Sequence, residues 1–116
     1  MWIFLKDAFL SVVANRDDPN CLLVRGRFAG DIERTFPEAD VVETPHADYR
    51  FRTSVPRAAV AEMLARQALT MTADNFKGSV QQHWRHDVYL DVWSTMRGAQ
   101  QHRPDARTTG NDQLFR

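Results

Sequence analysis

The fold is decided by a seven-residue stretch near the start of the chain, Leu22-Leu23-Val24-Arg25-Gly26-Arg27-Phe28. Successive side chains of a β-strand point to opposite faces of a sheet, so Val24 and Phe28 share one face with Gly26. Arg25 and Arg27 share the other face. This alternation predicts a strand that is buried on one side and charged on the other.

The preceding residues supply a partner for this strand. Residues 2–14 mix large apolar and β-branched side chains without a helical period, which predicts either one long strand or two short strands bent near Lys6 and Asp7. Residues 15–20, with two aspartates, two asparagines and Pro19, have the composition of a turn. We therefore expect residues 2–14 and 22–28 to pair as a hairpin.

A similar arrangement follows further along the chain. Residues 32–36 come after Gly30-Asp31 and before Pro37, which predicts a short helix. A third strand is expected at 41–44 and a fourth at 49–55, joined by a turn that contains Pro45. In the fourth strand the alternation predicts one face with Tyr49, Phe51 and Thr53 and an opposite face with Arg50, Arg52 and Ser54.

The rest of the chain is predicted to be helical. Pro56 suits the first position of a helix, and an apolar stripe follows it at Val60, Met63, Leu64 and Leu69. After Asp74, apolar residues recur every fourth position, which drifts about 40° per step around an α-helix. We therefore expect a break between Gln81 and His86. The fold class is then α+β, with an antiparallel sheet of about four strands in the order ββα-ββα, packed with helices and followed by two C-terminal helices.

Length and composition predict one domain over residues 1–99. The chain has 116 residues, 43% of them hydrophobic, which is enough for one core. Residues 100–116 are polar and contain Pro104 and Gly110, so we expect a flexible tail. Cys21, the only cysteine, is interpreted as a small buried residue, with a catalytic thiol as the alternative. No apolar run has the length of a membrane span, so a cytoplasmic location and no membrane partner are expected.

The charged residues carry the main functional signal. Fifteen basic and fifteen acidic residues give a formal net charge of zero, which argues against a protein that mainly coats nucleic acid. Thirteen of the basic residues are arginine. If both predicted hairpins lie in one sheet, Arg25, Arg27, Arg50 and Arg52 share a surface. That surface can bind an acidic protein, a phosphate or a nucleic-acid backbone, or it can be an ordinary solvated face paired with carboxylates such as Glu43.

Three aromatic residues of the last helices are further candidates for partner contact. Trp84, Tyr89 and Trp93 cannot all face one way around a helix, so at least one is expected at the surface, where Trp and Tyr often anchor interfaces. The alternative is that the two tryptophans complete the core against the sheet.

One cluster has spacing compatible with metal ligands. His83, His86, Asp87 and Asp91 can share a helix face, although His86-Asp87 at a helix N-terminus explains the same residues as a cap. The glycine-rich phosphate loops, the nucleophile elbow and the Cys-x-x-Cys motif are all missing from the sequence. We therefore expect a protein that is not an enzyme and has no cofactor.

Several motifs together resemble those of a group of small proteins found in bacteria, phages and prophages. The resemblance spans about residues 1–99 and rests on these segments: Met1-Trp2, Val24 to Arg27, Glu43 to Pro45, Asp48 to Arg52, Asp74 to Lys77, Tyr89 and Val92-Trp93. The group has no settled activity, so it assigns no site residue.

The resemblance implies a setting that includes inhibitors of bacterial defence systems, anti-CRISPR proteins among them, which occupy a surface of a nuclease complex. The expected function is then a non-catalytic module that binds a bacterial protein, such as a CRISPR effector subunit. The alternatives are a nucleic-acid or phosphate binder that uses the same arginines, and a small metal-dependent enzyme.

Overall fold

The computed structural model describes residues 1–103, which form a five-stranded antiparallel sheet and four helices. The strands are β1 (Trp2–Leu5), β2 (Ala8–Ala14), β3 (Cys21–Gly26), β4 (Val42–Glu43) and β5 (Phe51–Pro56). The helices are α1 (Asp31–Thr35), α2 (Arg57–Leu69), α3 (Phe76–Ser79) and α4 (His83–Gln101). The α+β class is confirmed.

The sheet has the spatial order β1-β2-β3-β5-β4, with every neighbouring pair antiparallel. Residues 2–14 form two strands and not one, because the polar pair Lys6-Asp7 makes a tight turn that brings Ile3 opposite Leu10. The expected count of about four strands is therefore low by one. The element order begins with three strands before α1, which differs from the predicted ββα-ββα order.

One face of the sheet carries the main core. Leu10 and Val24 are fully buried there, together with Ile32 of α1 and with Val60 and Met63 of α2. The two helices therefore cover the face that the alternation in residues 22–28 predicts to be apolar. Glu62 and Arg66, exposed on α2, form an ion pair at 3.8 Å in the helical i, i+4 spacing.

The helix boundaries differ from the predictions in three places. Pro56 is the last residue of β5 and the N-cap of α2, because it still pairs with Cys21 in the sheet, so α2 begins one residue later. The break after Asp74 falls at residues 80–82, slightly earlier than predicted, since Val80 is buried in an extended conformation. As a result His86 and Asp87 lie inside α4 and do not cap it.

The C-terminal helix continues to Gln101, two residues beyond the predicted domain limit. Most of the predicted tail, residues 104–116, lies outside the described residues. Within residues 1–103, no helix combines the length and the apolar character needed to cross a membrane. Cys21, at the first position of β3, is partly buried, so the expectation of a fully buried residue is not met.

Candidate partner-binding surfaces

A single row of side chains crosses all five strands on the sheet face opposite the main core. The register places Trp2 of β1 opposite Ser11 of β2, Ser11 opposite Arg25 of β3, Arg25 opposite Arg52 of β5, and Arg52 opposite Val42 of β4. Directly paired residues of antiparallel strands point to the same face. We call these five residues the cross-strand row.

The two ends of the row are apolar and solvent-exposed. Trp2 has 68% of its surface exposed and Val42 has 56%. Both arginines in the middle are half-buried, whereas Ser11 beside them is buried. In the neighbouring row on the same face, Val13 and Leu23 are half-buried and Ser54 is exposed. Cationic groups at the centre are thus flanked by accessible apolar side chains.

The central arginines have few partners. Arg25 donates from Nη2 to the Ser11 hydroxyl at 2.7 Å, and its guanidinium lies 4.4 Å from the centre of the Tyr49 ring. Arg52 donates from Nη2 to the Tyr49 carbonyl oxygen at 3.3 Å. The Nε atoms of both arginines are buried and form no hydrogen bond within the described chain. Neither arginine is ion-paired with a carboxylate of residues 1–103.

The other two predicted site arginines are neutralised. Arg27 forms an ion pair with Asp48 at 3.1 Å, and Arg50 forms one with Glu43 at 3.3 Å. All four of these side chains are well exposed, so the pairs contribute little stability. The predicted four-arginine surface is therefore divided: Arg25 and Arg52 have no carboxylate partner within residues 1–103, and Arg27 and Arg50 each have one.

Tyr49 lies on a different side from the one that the alternation predicted. It precedes β5 and packs with Phe9 and Tyr89 in a second apolar cluster, not with Phe51 and Thr53 of the strand. The guanidinium groups of Arg25 and Arg27 lie against its ring, at 4.4 and 4.0 Å from the centre. The tyrosine therefore joins the arginines to the cluster that supports α4.

A buried ion pair attaches α4 to the rest of the domain. Arg85 of α4 and Asp31 of α1 are both fully buried and form two parallel hydrogen bonds, at 3.0 and 2.6 Å. Asp31 also accepts the backbone N–H of Phe9 at 2.9 Å and contacts Arg34, while Gln82 accepts from Arg85 Nε at 2.6 Å. Burial alone would lower the pKa of Arg85, but the hydrogen bonds that Arg85 donates to Asp31 and Tyr89 outweigh it and raise the pKa.

Tyr89 takes part in the same attachment. Its hydroxyl lies 2.9 Å from the carbonyl oxygen of Leu5 and 3.0 Å from that of Ala8, and it accepts from Arg85 at 3.3 Å. Burial is the main cause that raises the pKa of Tyr89. Only 5% of the residue is exposed, so the structure places this predicted contact residue in the interior.

The two tryptophans of α4 that the sequence offers as partner contacts are at the surface. Trp84 and Trp93 are each 42% exposed, so neither is enclosed in the core. The Trp84 ring packs edge-on against Phe28, and Lys77 Nζ lies 4.7 Å from the centre of the Trp93 ring. No residue from 90 to 101 is buried, and Met96 is 66% exposed. The second half of α4 therefore presents apolar side chains to solvent.

The candidate metal ligands do not converge. On the exposed side of α4, the Asp87 carboxylate lies 3.6 Å from His83 Nε2 and 3.6 Å from His86 Nδ1, and Asp91 contacts neither histidine. In the part of the chain that the structure describes, no group of three or more His, Cys, Asp or Glu side chains is arranged to hold a metal ion.

Sequence reasoning missed the Asp31–Arg85 pair entirely. Asp31 has the pattern of a helix N-cap residue and Arg85 lies between two histidines, and the two residues are 54 positions apart. The local signal for burial of Arg85 is weak: Tyr89 follows at i+4, which places two large side chains on one helix face.

Comparisons with protein families, with curated proteins and with solved structures give no significant match. The class of protein is therefore defined by its own geometry, as a small α+β domain with one covered and one partly open sheet face. Two surface features distinguish it: the cross-strand row and the exposed apolar side chains in the second half of α4.

Proposed function

We propose that this chain is a non-catalytic protein-binding module that contacts its partner through the cross-strand row. The observation that carries the proposal is the composition of that row, in which two arginines without carboxylate partners in the described chain lie between the exposed Trp2 and Val42. Trp and Arg are the residues most often found at energetically dominant positions of protein interfaces. The row spans five strands, about 19 Å at the usual strand spacing.

Helix α4 supplies a second part of the proposed contact. Trp84 and Trp93 are part-exposed, and Val88, Val92 and Met96 add apolar surface on the same helix. A helix segment of about twelve residues is marginally stable in water without tertiary packing. A partner that packs against residues 90–101 would bury these side chains and stabilise the segment.

The resemblance to small phage and prophage proteins supports a choice of partner. We propose a bacterial protein in the cytoplasm of the host, such as a subunit of a CRISPR effector complex, which the module would inhibit by covering a surface. A surface inhibitor requires a rigid scaffold and a patterned face, and it requires no reactive group.

Co-migration with candidate effector complexes on a sizing column tests this proposal. We expect the wild-type chain to elute with its target and the Val42→Glu variant to elute alone. Leu69→Glu is the matched control, because Leu69 is also exposed and apolar (85%) but lies at the end of α2, which packs on the other side of the sheet. The proposal fails if no candidate retains the wild-type chain, or if both variants bind as well as it does.

Binding of a phosphate-containing ligand or a nucleic acid is the second candidate function. It is favoured by one observation, the lack of a neutralising carboxylate at Arg25 and Arg52 within the described chain. Two phosphate contacts to a single-stranded nucleic acid would give a slope of log affinity against log salt of roughly −1.4. A measured slope near zero with a single-stranded oligonucleotide would exclude this function.

A further inference from the structure

Arg25 and Arg52 lie directly opposite each other in the register of β3 and β5. The backbone of Arg50 accepts from Thr44 on the β4 side, and backbone groups alternate in direction along a strand, so those of Arg52 also point towards β4. Arg25 and Arg52 therefore form a non-hydrogen-bonded pair, the kind in which side chains approach more closely. Like charges directly opposite one another destabilise a sheet.

No carboxylate within residues 1–103 compensates for this repulsion, although the Tyr49 ring lies against the Arg25 guanidinium. Each guanidinium makes one hydrogen bond to a neutral oxygen, that of Ser11 or of Tyr49, and both Nε atoms are buried without a partner in the described chain. A buried polar group without a partner is uncommon and calls for an explanation. The nearby Arg27 and Arg50 are each paired with a carboxylate, so the lack of one at the central pair is specific to these two positions.

We propose that Arg25 and Arg52 together bind one carboxylate of the protein partner, the side chain of an aspartate or glutamate. This inference rests on the proposed function and assigns the chemistry at the centre of its surface. A carboxylate is planar and accepts hydrogen bonds from two guanidinium groups at once, and its charge relieves their mutual repulsion.

The flanking residues favour a protein carboxylate over a phosphate. Trp2 and Val42 at the ends of the row, with Leu23 in the next row, require apolar atoms from the ligand, which the residues around a partner's carboxylate supply. A polyanion would need a longer cationic track. The adjacent arginines are already neutralised and the formal net charge is zero.

Side-chain NMR of the ¹⁵N-labelled protein tests the site directly. The Nε–H groups of Arg25 and Arg52 are buried, so their protons exchange slowly and their signals are observable. The probes are sodium acetate, sodium phosphate and sodium chloride at equal ionic strength, and the capped peptides Leu-Glu-Leu and Leu-Gln-Leu. We expect a saturable shift of both Nε–H signals with acetate and none with chloride. We also expect the glutamate peptide to bind about tenfold more tightly than the glutamine peptide.

Two matched variants complete the experiment. Arg52→Gln removes only a 3.3 Å bond to a carbonyl oxygen, so it should fold, and it should abolish the shift of the Arg25 signal. Arg50→Gln, two positions from Arg52 but at an arginine paired with Glu43, should leave that shift unchanged. The inference is overturned if acetate produces no saturable shift, if Arg52→Gln leaves the shift intact, or if phosphate saturates the site at lower concentration than acetate.

The outcomes separate this inference from the proposed function. If acetate binds the site but no candidate partner retains the chain, the proposed function is contradicted and the carboxylate site is not. If a partner no longer binds the Val42→Glu variant but still binds the Arg52→Gln variant, the result supports the protein-binding module and overturns the carboxylate site.

Discussion

Replacement of Asp31 by asparagine tests how α4 is held on the domain. Asp31 and Arg85 are both fully buried, and Asp31 accepts from the Phe9 backbone as well as from two arginines. Asparagine has nearly the same shape and keeps one acceptor oxygen, so the substitution removes the negative charge without opening a cavity. The guanidinium of Arg85 is then a buried charge without a counter-ion.

The expected cost is large for a domain of this size. Removal of one partner of a buried pair typically costs about 3–5 kcal/mol, out of a total stability of about 5–15 kcal/mol for a small domain. At about 4 °C per kcal/mol, the midpoint of thermal unfolding should fall by roughly 12–20 °C. Urea unfolding, extrapolated linearly to zero denaturant, measures the change in free energy.

The control for Asp31→Asn is Glu62→Gln on α2. Glu62 is also ion-paired, with Arg66, but both side chains are exposed, so a loss of at most about 0.5 kcal/mol is expected. A double variant, Asp31→Leu with Arg85→Met, removes both charges and should recover much of the lost stability.

The reasoning is refuted if Asp31→Asn costs less than about 1 kcal/mol, which is the value for a solvated pair. It is also refuted if the double variant is as unstable as the single one, because the loss would then come from packing and not from an uncompensated charge.

Three further predictions concern α4 and the start of α1. Burial raises the pKa of Tyr89 above its ordinary value of 10.0, so its contribution to stability is complete below that pH and is lost as the pH rises through the folded-state pKa. Urea unfolding above about pH 10 should therefore show a steeper loss for the wild type than for Tyr89→Phe, and parallel curves would contradict this. Gly98→Ala should stabilise the end of α4 by about 0.5–1 kcal/mol, read as slower amide exchange, because the added Cβ meets no atom within 4 Å. Gly30→Ala should destabilise the domain by about 1–2 kcal/mol, since φ is +89° there, and equal stability by urea unfolding would refute the argument.

Local periodicity was sufficient to predict much of the framework. The two-residue period in residues 22–28 correctly assigned Val24 to the core and Arg25 to the opposite face. The α+β class, the burial of Val60 and Met63 on α2 and a break before α4 followed from the same kind of pattern, whereas Leu69 of the predicted stripe is 85% exposed. The predicted start of α2 at Pro56 was one residue too early, because Pro56 pairs with Cys21 across the sheet and so belongs to β5.

The candidate site was only partly predictable. Alternation predicted one face for Arg25, Arg27, Arg50 and Arg52, but Arg27 and Arg50 lie outside the strands, and the register places only Arg25 and Arg52 in one row. The sequence had no means to show that Arg52 lies opposite Arg25 while Arg50 contacts Glu43, because strand order and register are set by packing across the whole sheet.

What the sequence alone determined was the class of fold and the direction in which the central residues of β3 and β5 point, because both depend on neighbours a few positions away. Tertiary structure alone decided that Arg25 and Arg52 lie in one row between Trp2 and Val42. It alone also decided that Arg85, 54 residues from Asp31, is buried against it. Contacts between distant parts of a chain depend on how its elements pack together, and no local pattern encodes that geometry.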